Sequence, residues 1–188
     1  MEFIDVIKSR RSVRNFLPER IPDNILTEIL EAGQNAPSYQ NRQCWRFIVI
    51  NESEKIRNFA SNTGIVGKIN YFIKDAPLII VACADPRHSG TMNKQDYYLV
   101  DTAIAFQQMM LTAWNYGIGS CWMAGFSENA VRKHLNIPPR IRVVAFSPFG
   151  YPKDKETLYG KFLKTFSNSK SRLNLNKIAF FNEWGETE

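Results

Sequence analysis

The sequence predicts an α+β fold, a single layered sandwich with helices between a small number of strands. Three observations predict it. Apolar residues recur at helical spacing in several separate stretches, residues 78–84 form an apolar run of strand length, and a long segment from Asp96 to Tyr116 is apolar almost all the way round. With 188 residues the chain is expected to form one domain, 1–188, whose last part, 151–188, is an extension.

The elements follow in order. Residues 2–10 carry Phe3, Val6, Ile7 and Arg10 at helical spacing, and Ser12 to Phe16 reads as extended chain ending near Pro18. Asp23 opens a second helix, with Ile25, Leu26, Ile29 and Leu30 on one face, which stops near Gly33. A loop containing Pro37 leads into a strand over 45–50, and Pro77 opens the strand 78–84, buried on both faces.

The helix from Asp96 to Tyr116 is stopped by Gly117 and has one narrow polar stripe, made of Asp101, Gln108, Thr112 and Asn115. Such a helix belongs in a core or a subunit interface. A short strand is expected over Cys121 to Met123, then a helix capped by Ser127 and a strand from Ile141 to Phe149. Beyond Pro152 the chain is polar and basic until it turns apolar from Ile178 to Trp184, an ending that needs a surface to cover.

Composition excludes several functions. No apolar run is long enough to span a bilayer, and the start Met1-Glu2-Phe3-Ile4-Asp5 is unlike a secretory signal, so the chain is expected in the cytoplasm. Three well-separated cysteines, Cys44, Cys83 and Cys121, read as reduced, buried thiols, and two histidines leave no His-rich metal centre. The net charge is +6; seven Lys/Arg stand against two acids between Tyr151 and Lys177. Such a tail serves nucleic acid, an anionic surface, a phosphate group, or simply solvation.

No side-chain catalytic engine is visible. Gly64-Ile65-Val66-Gly67-Lys68 has the wrong spacing for a phosphate loop, Gly117-Ile118-Gly119 lacks the third glycine of a dinucleotide fingerprint, and no nucleophile elbow exists. Chemistry, if there is any, belongs to a cofactor.

Three clusters remain. Arg10-Arg11-Ser12-Val13-Arg14 places guanidinium groups and a hydroxyl at a helix-to-strand junction, suited to a terminal phosphate or to surface ion pairs. The run 36–47 offers Pro37, Ser38, Asn41 and Gln43 beside a strand opened by Trp45, as a planar heteroaromatic ligand or an ordinary turn requires. The run 117–126 is a Gly-rich turn, which permits close backbone approach to a flat ligand and equally fits a helix cap followed by an edge strand.

The order and spacing of these three motifs, followed by Phe149-Gly150-Tyr151-Pro152, Lys170-Ser171-Arg172-Leu173 and Phe181-Asn182-Glu183-Trp184-Gly185, resembles the FMN-dependent nitroreductase family over essentially the whole chain. The resemblance implies a central, mostly antiparallel sheet flanked by helices, with a C-terminal extension embracing the partner subunit. It implies a homodimer with FMN sites built from both chains, and NADH or NADPH as reductant. Arg10, Arg11, Ser12 and Arg14 inherit the FMN phosphate, joined by Lys170 and Arg172; Pro37, Ser38 and Asn41 lie along the flavin; Asn70 meets its pyrimidine edge; Ala124 and Gly125 present backbone N–H to flavin N5.

The implied activity is ping-pong hydride transfer to nitroaromatics, quinones or similar small acceptors, with no side chain as general acid. An FMN-binding sensor with little turnover, and another reaction on the same scaffold such as reductive dehalogenation, stay open as alternatives. A nucleic-acid-binding module would use the basic tail but has no recognition motif, and neither nucleic acid nor membrane is an expected partner. Two departures stand out: Cys44 occupies the family's usual Pro, and Ala124 stands where many relatives have an acid.

Overall fold

The structure, a computed structural model, describes residues 1–64, 66–153 and 172–185. The chain divides into two units, Met1–Asp154 and Lys155–Glu188. In the first, the helices are α1 (Phe3–Ser9), α2 (Asp23–Gln34), α3 (Ser53–Ser61), α4 (Tyr97–Asn115) and α5 (Glu128–His134). The strands are β1 (Trp45–Ile50), β2 (Leu78–Ala84), β3 (Thr91–Met92), β4 (Gln95–Asp96), β5 (Gly119–Ser120) and β6 (Arg142–Gly150).

One sheet, in the order β1-β2-β6-β5, organises this unit, and every pairing in it is antiparallel. Every residue of β2 is buried because both faces of the sheet are covered. Strand alternation divides them cleanly. Leu78, Ile80 and Ala82 pack with Ile29 of α2 and Phe106 and Met109 of α4. Ile79, Val81 and Cys83 pack with Ile56 and Phe59 of α3, Val131 of α5 and Phe146. Burying a side chain such as Ile80 fully stabilises the fold by about 1.5–3 kcal/mol, so the sheet is the rigid support for whatever its edges carry.

Helix α2 lies close to α4 because Gly33 has no Cβ: one placed there would stand 2.7 Å from Met109 Sδ. Helix α4 is the central element. It buries Tyr98, Asp101, Thr102, Ala105, Phe106, Met109, Met110 and Ala113 on one side, and leaves Leu99, Val100 and Ile104 exposed on the other. Helix α1 packs against it, with Trp114 Nε1 donating to Ser9 Oγ at 2.8 Å, and also exposes apolar residues, Phe3, Ile4 and Ile7. Ser127 caps α5, its Oγ accepting the Ala130 N–H at 3.3 Å.

The structure differs from the expected elements in four places. The strand anticipated over Cys121 to Met123 lies earlier, at Gly119–Ser120, opposite Gly150 and Phe149; Met123 makes only an isolated bridge to Phe146. Helix α3, a run of 3₁₀ turns over Val66–Asp75, and the β3–β4 hairpin occupy stretches where no element was expected. In the second unit the described residues include one 3₁₀ turn, Leu175–Lys177, and expose Leu173, Leu175, Ile178, Phe181 and Trp184.

Candidate active site

The first motif begins where α1 ends. Arg10 is its C-cap, with φ −54° and ψ 130°, so the chain leaves the helix directly into extended conformation. Residue Val13 then turns into the core, 3% exposed, while Arg10, Ser12 and Arg14 stay half-buried and Arg11 is exposed. The alternation that buries Val13 places Ser12 and Arg14 together on the other side.

This segment docks on β5, the opening of the third motif. Ser12 and Ser120 form a parallel bridge, and the Val13 N–H donates to the Ser120 carbonyl at 2.9 Å. The approach depends on Gly119, where an added Cβ would stand 2.4 Å from Val13 Cγ2. Cys121 records the convergence electrostatically. Burial pushes its thiol pKa up, while the positive charges of Arg14 and Arg10 and a hydrogen bond with Ser12 act the other way.

Among the described residues, neither Arg10, Arg11 nor Arg14 forms an ion pair with an acid. Ser120 Oγ, buried, has no hydrogen-bond partner there either. A cluster of guanidinium groups and hydroxyls without counter-charge attracts an anion, and phosphate matches this donor set best.

The third motif continues along the same edge. Met123 N–H and Phe146 C=O bond at 2.9 Å, after which Ala124 and Gly125 are exposed. Neither of their N–H groups meets an acceptor among the described residues. Asn70, 9% exposed, donates its amide to the Gly125 carbonyl at 2.7 Å, which places it at the end of this motif.

The second motif is held differently. Ser38 Oγ accepts the Gln43 N–H at 2.9 Å, closing a turn in which Gln40, Asn41 and Gln43 have positive φ of 51°, 55° and 49°. Pro37 is exposed at its entrance. The turn rests on Asp101, the buried acid of the α4 stripe, 2% exposed. Its Oδ1 accepts the Tyr39 N–H at 2.9 Å, and its Oδ2 accepts from Ser89 Oγ at 3.1 Å and, more weakly, from Cys44 Sγ at 3.7 Å. Asp101 was visible in the sequence as part of a polar stripe, but nothing there linked it to the turn.

Thus the chain itself brings the first motif, the third motif and Asn70 together along the β5 edge. The second motif runs into β1, at the far side of the sheet from β5, and a line of rings leads from it towards the third motif: Phe47 lies 6.3 Å from Phe106, which lies 5.3 Å from Trp122. No hydrogen bond or ion pair among the described residues joins Ser38 or Asn41 to Arg10, Ser12 or Arg14. Lys170 lies outside the described residues; Arg172 is exposed in the second unit.

Fold and site define a layered α+β protein that presents a cationic, hydroxyl-bearing cradle beside free backbone donors at a sheet edge. The family model described as the Nitroreductase family matches residues 7–151, and the chain belongs to that family. A relative from Archaeoglobus fulgidus, provisionally named NADH dehydrogenase/NAD(P)H nitroreductase, is 33% identical over 84% of this chain and 90% of its own. The solved FMN-dependent nitroreductase of Clostridium difficile R20291 is 28% identical, with a TM-score of 0.75 over 96% of this chain and 99% of its own. An iodotyrosine deiodinase from Thermotoga neapolitana is 26% identical over 82% of this chain and 91% of its own.

Proposed function

We propose that the protein is an FMN-dependent NAD(P)H oxidoreductase that reduces nitroaromatics, quinones or similar small acceptors in alternate half-reactions. The observation that carries this is the uncompensated cradle of Arg10, Ser12 and Arg14 against Ser120. FMN fits these residues: a terminal phosphate supplies the missing counter-charge, and the flat ring suits exposed backbone donors. When bound, the flavin supplies the hydride chemistry, taking two electrons from the nicotinamide and giving them to the acceptor.

The chain's own part is binding and orientation. Arg10 and Arg14 hold the phosphate by charge-assisted bonds, with Ser12 donating one more. Arg11 adds positive charge from the exposed side, and Lys170 and Arg172 contribute from the extension. Ala124 and Gly125 offer N–H groups to the ring, and Asn70, fixed on the Gly125 carbonyl, faces its polar edge. Pro37, Ser38 and Asn41 line the flavin. No side chain is assigned a proton-transfer step.

The working unit in this proposal is a cytoplasmic homodimer with sites built from both chains. The exposed apolar residues of α1 and α4, Phe3, Ile4, Ile7, Leu99, Val100 and Ile104, support an interface, as do Leu175 and Trp184 in the extension. Residues 151–188 are read as an extension that covers the partner. Three buried, unpaired thiols suit a reducing compartment.

Purified protein is expected to be yellow, to bleach anaerobically with NADH or NADPH, and to recover colour on adding a nitroaromatic or quinone. A protein that stays colourless when given FMN overturns the proposal. Bleaching without reoxidation by any acceptor points instead to a sensor. The deiodinase relative favours one second reading, so a halogenated phenol belongs in the acceptor panel.

A further inference from the structure

We propose that Asp101 is the positioning residue of the second motif, its single buried carboxylate holding both ends of the turn that carries Ser38 and Asn41. What the turn serves rests on the flavin reading above; how it is held rests on geometry alone.

The turn is strained. Gln40, Asn41 and Gln43, three residues with a Cβ within four positions, all occupy the left-handed region. Such conformations persist only where the surroundings over-determine them, and they gather at ligand-binding sites. Here the over-determination is local and traceable. Tyr39, at the start of the turn, gives its N–H to Asp101 Oδ1 at 2.9 Å; Cys44, just past its end, lies 3.7 Å from Oδ2. Both flanks of the strained stretch therefore meet one side chain on α4.

A second circuit reinforces the first. Ser89 donates its hydroxyl to Asp101 Oδ2 at 3.1 Å and accepts the Arg42 guanidinium on its carbonyl at 2.8 Å. The same guanidinium sits over the Tyr39 ring, 5.5 Å from its centroid. Asp101, Ser89, Arg42 and Tyr39 thus close a ring of contacts around the turn. A Cβ on the neighbouring Gly90 would stand 2.5 Å from the Tyr39 ring, so the packing leaves that ring little freedom.

Asp101 is 2% exposed, and among the described residues its bonding partners are a backbone amide, a hydroxyl and a thiol, with no basic group. A buried carboxylate is tolerated only where its donors are fixed in place. Cys44 contributes as this chain's departure from the family pattern: proline has no side-chain donor, whereas the thiol has one. Burial, and then the charge of Asp101, push the Cys44 pKa up, so the thiol keeps the proton it donates.

The experiment compares wild type, Asp101→Ala, Asp101→Asn and Val131→Ala by hydrogen exchange on the FMN-free protein and by FMN titration. Val131 is a buried residue on the opposite face of the sheet, so its variant reports general loss of stability. Loss of a hydrogen bond to a charged group predicts about tenfold or greater acceleration of exchange over 39–44 in Asp101→Ala, and an FMN dissociation constant raised by about tenfold or more. Asp101→Asn keeps an acceptor for the Tyr39 N–H and is expected to recover most of both effects, while Val131→Ala changes neither. Unchanged exchange over 39–44 in Asp101→Ala, or equal acceleration in Val131→Ala, overturns the inference. If exchange responds as expected but wild type takes up no FMN, the tether stands and the flavin reading falls.

Discussion

The amide of Val13 donates to the carbonyl of Ser120 across 2.9 Å, joining the start of the chain to a strand more than a hundred residues later. That bond holds the Arg-Ser-Val-Arg segment on the β5 edge, and it exists because Gly119 lets Val13 come close. Gly119→Ala puts a Cβ 2.4 Å from a branched, buried side chain. Overpacking of this kind is expected to cost about 1–3 kcal/mol in chemical denaturation. Val13→Ala makes room for the new methyl, so the double variant should be more stable than the sum of the two single losses predicts.

The apolar outer face of α1 and α4 gives the second prediction. Ile7 and Ile104 are 47% and 38% exposed in the single chain. If this band is the dimer interface, Ile7→Glu or Ile104→Glu should shift sedimentation from dimer towards monomer and reduce flavin content with it. A variant that stays dimeric with full flavin places the interface elsewhere.

The thiols give the third. Cys44, Cys83 and Cys121 are 0%, 1% and 2% exposed. Burial, with a smaller contribution from the charge of Glu128, pushes the Cys83 pKa up to about 12. Native protein at pH 8 should therefore react with essentially no thiol reagent over minutes, and denatured protein with three equivalents. Rapid labelling of one thiol in the native state contradicts the burial described.

A pH dependence follows from Asp85, whose side chain accepts from Arg87 Nε at 3.0 Å and from a second Arg87 nitrogen at 2.7 Å. The Arg87 hydrogen bonds hold this carboxyl well below the usual carboxylate range, against the opposing effect of burial. Because the folded pKa is depressed, the stabilisation is complete above the unfolded value of about 3.9, and it is lost as pH falls below that towards the folded pKa. Asp85→Asn should melt about 2–5 °C below wild type at pH 7, and the gap should narrow progressively below pH 4. A gap that is constant with pH would rule out the carboxylate as its cause.

The sheet and the long helices were legible because their signals are local. The strands 45–50 and 78–84 and the helix starting at Asp23 coincide with their apolar patterns. Helix α3 carries the same signal in Ile56, Phe59 and Ala60, but spread thinly through a polar background. The β3–β4 hairpin turns on Asn93 and Lys94 at φ 53° and 63°, and strands of two residues are too short to show alternation. The strand expected over 121–123 was displaced because pairing falls on Gly119 and Ser120, which carry no hydrophobic signal.

In the site, residue types were legible and their meeting was not. Ser12 touching Ser120 is a property of sheet topology, and Asn70 reaches Gly125, 55 positions on, from a run of 3₁₀ turns where no element was expected. Asp101 was apparent as a polar helix position, yet only the folded turn shows which amide it accepts.

The central claim is that Arg10, Ser12 and Arg14 hold the phosphate of FMN. Riboflavin is the same ring system without that phosphate, so titrating wild type and Arg14→Ala with both ligands isolates the cradle. The account predicts that wild type binds FMN far more tightly than riboflavin. It also predicts that Arg14→Ala weakens FMN alone, by about 1.5–3 kcal/mol, leaving riboflavin unchanged. Equal affinity for the two ligands in wild type, or the same loss for both in the variant, would contradict it.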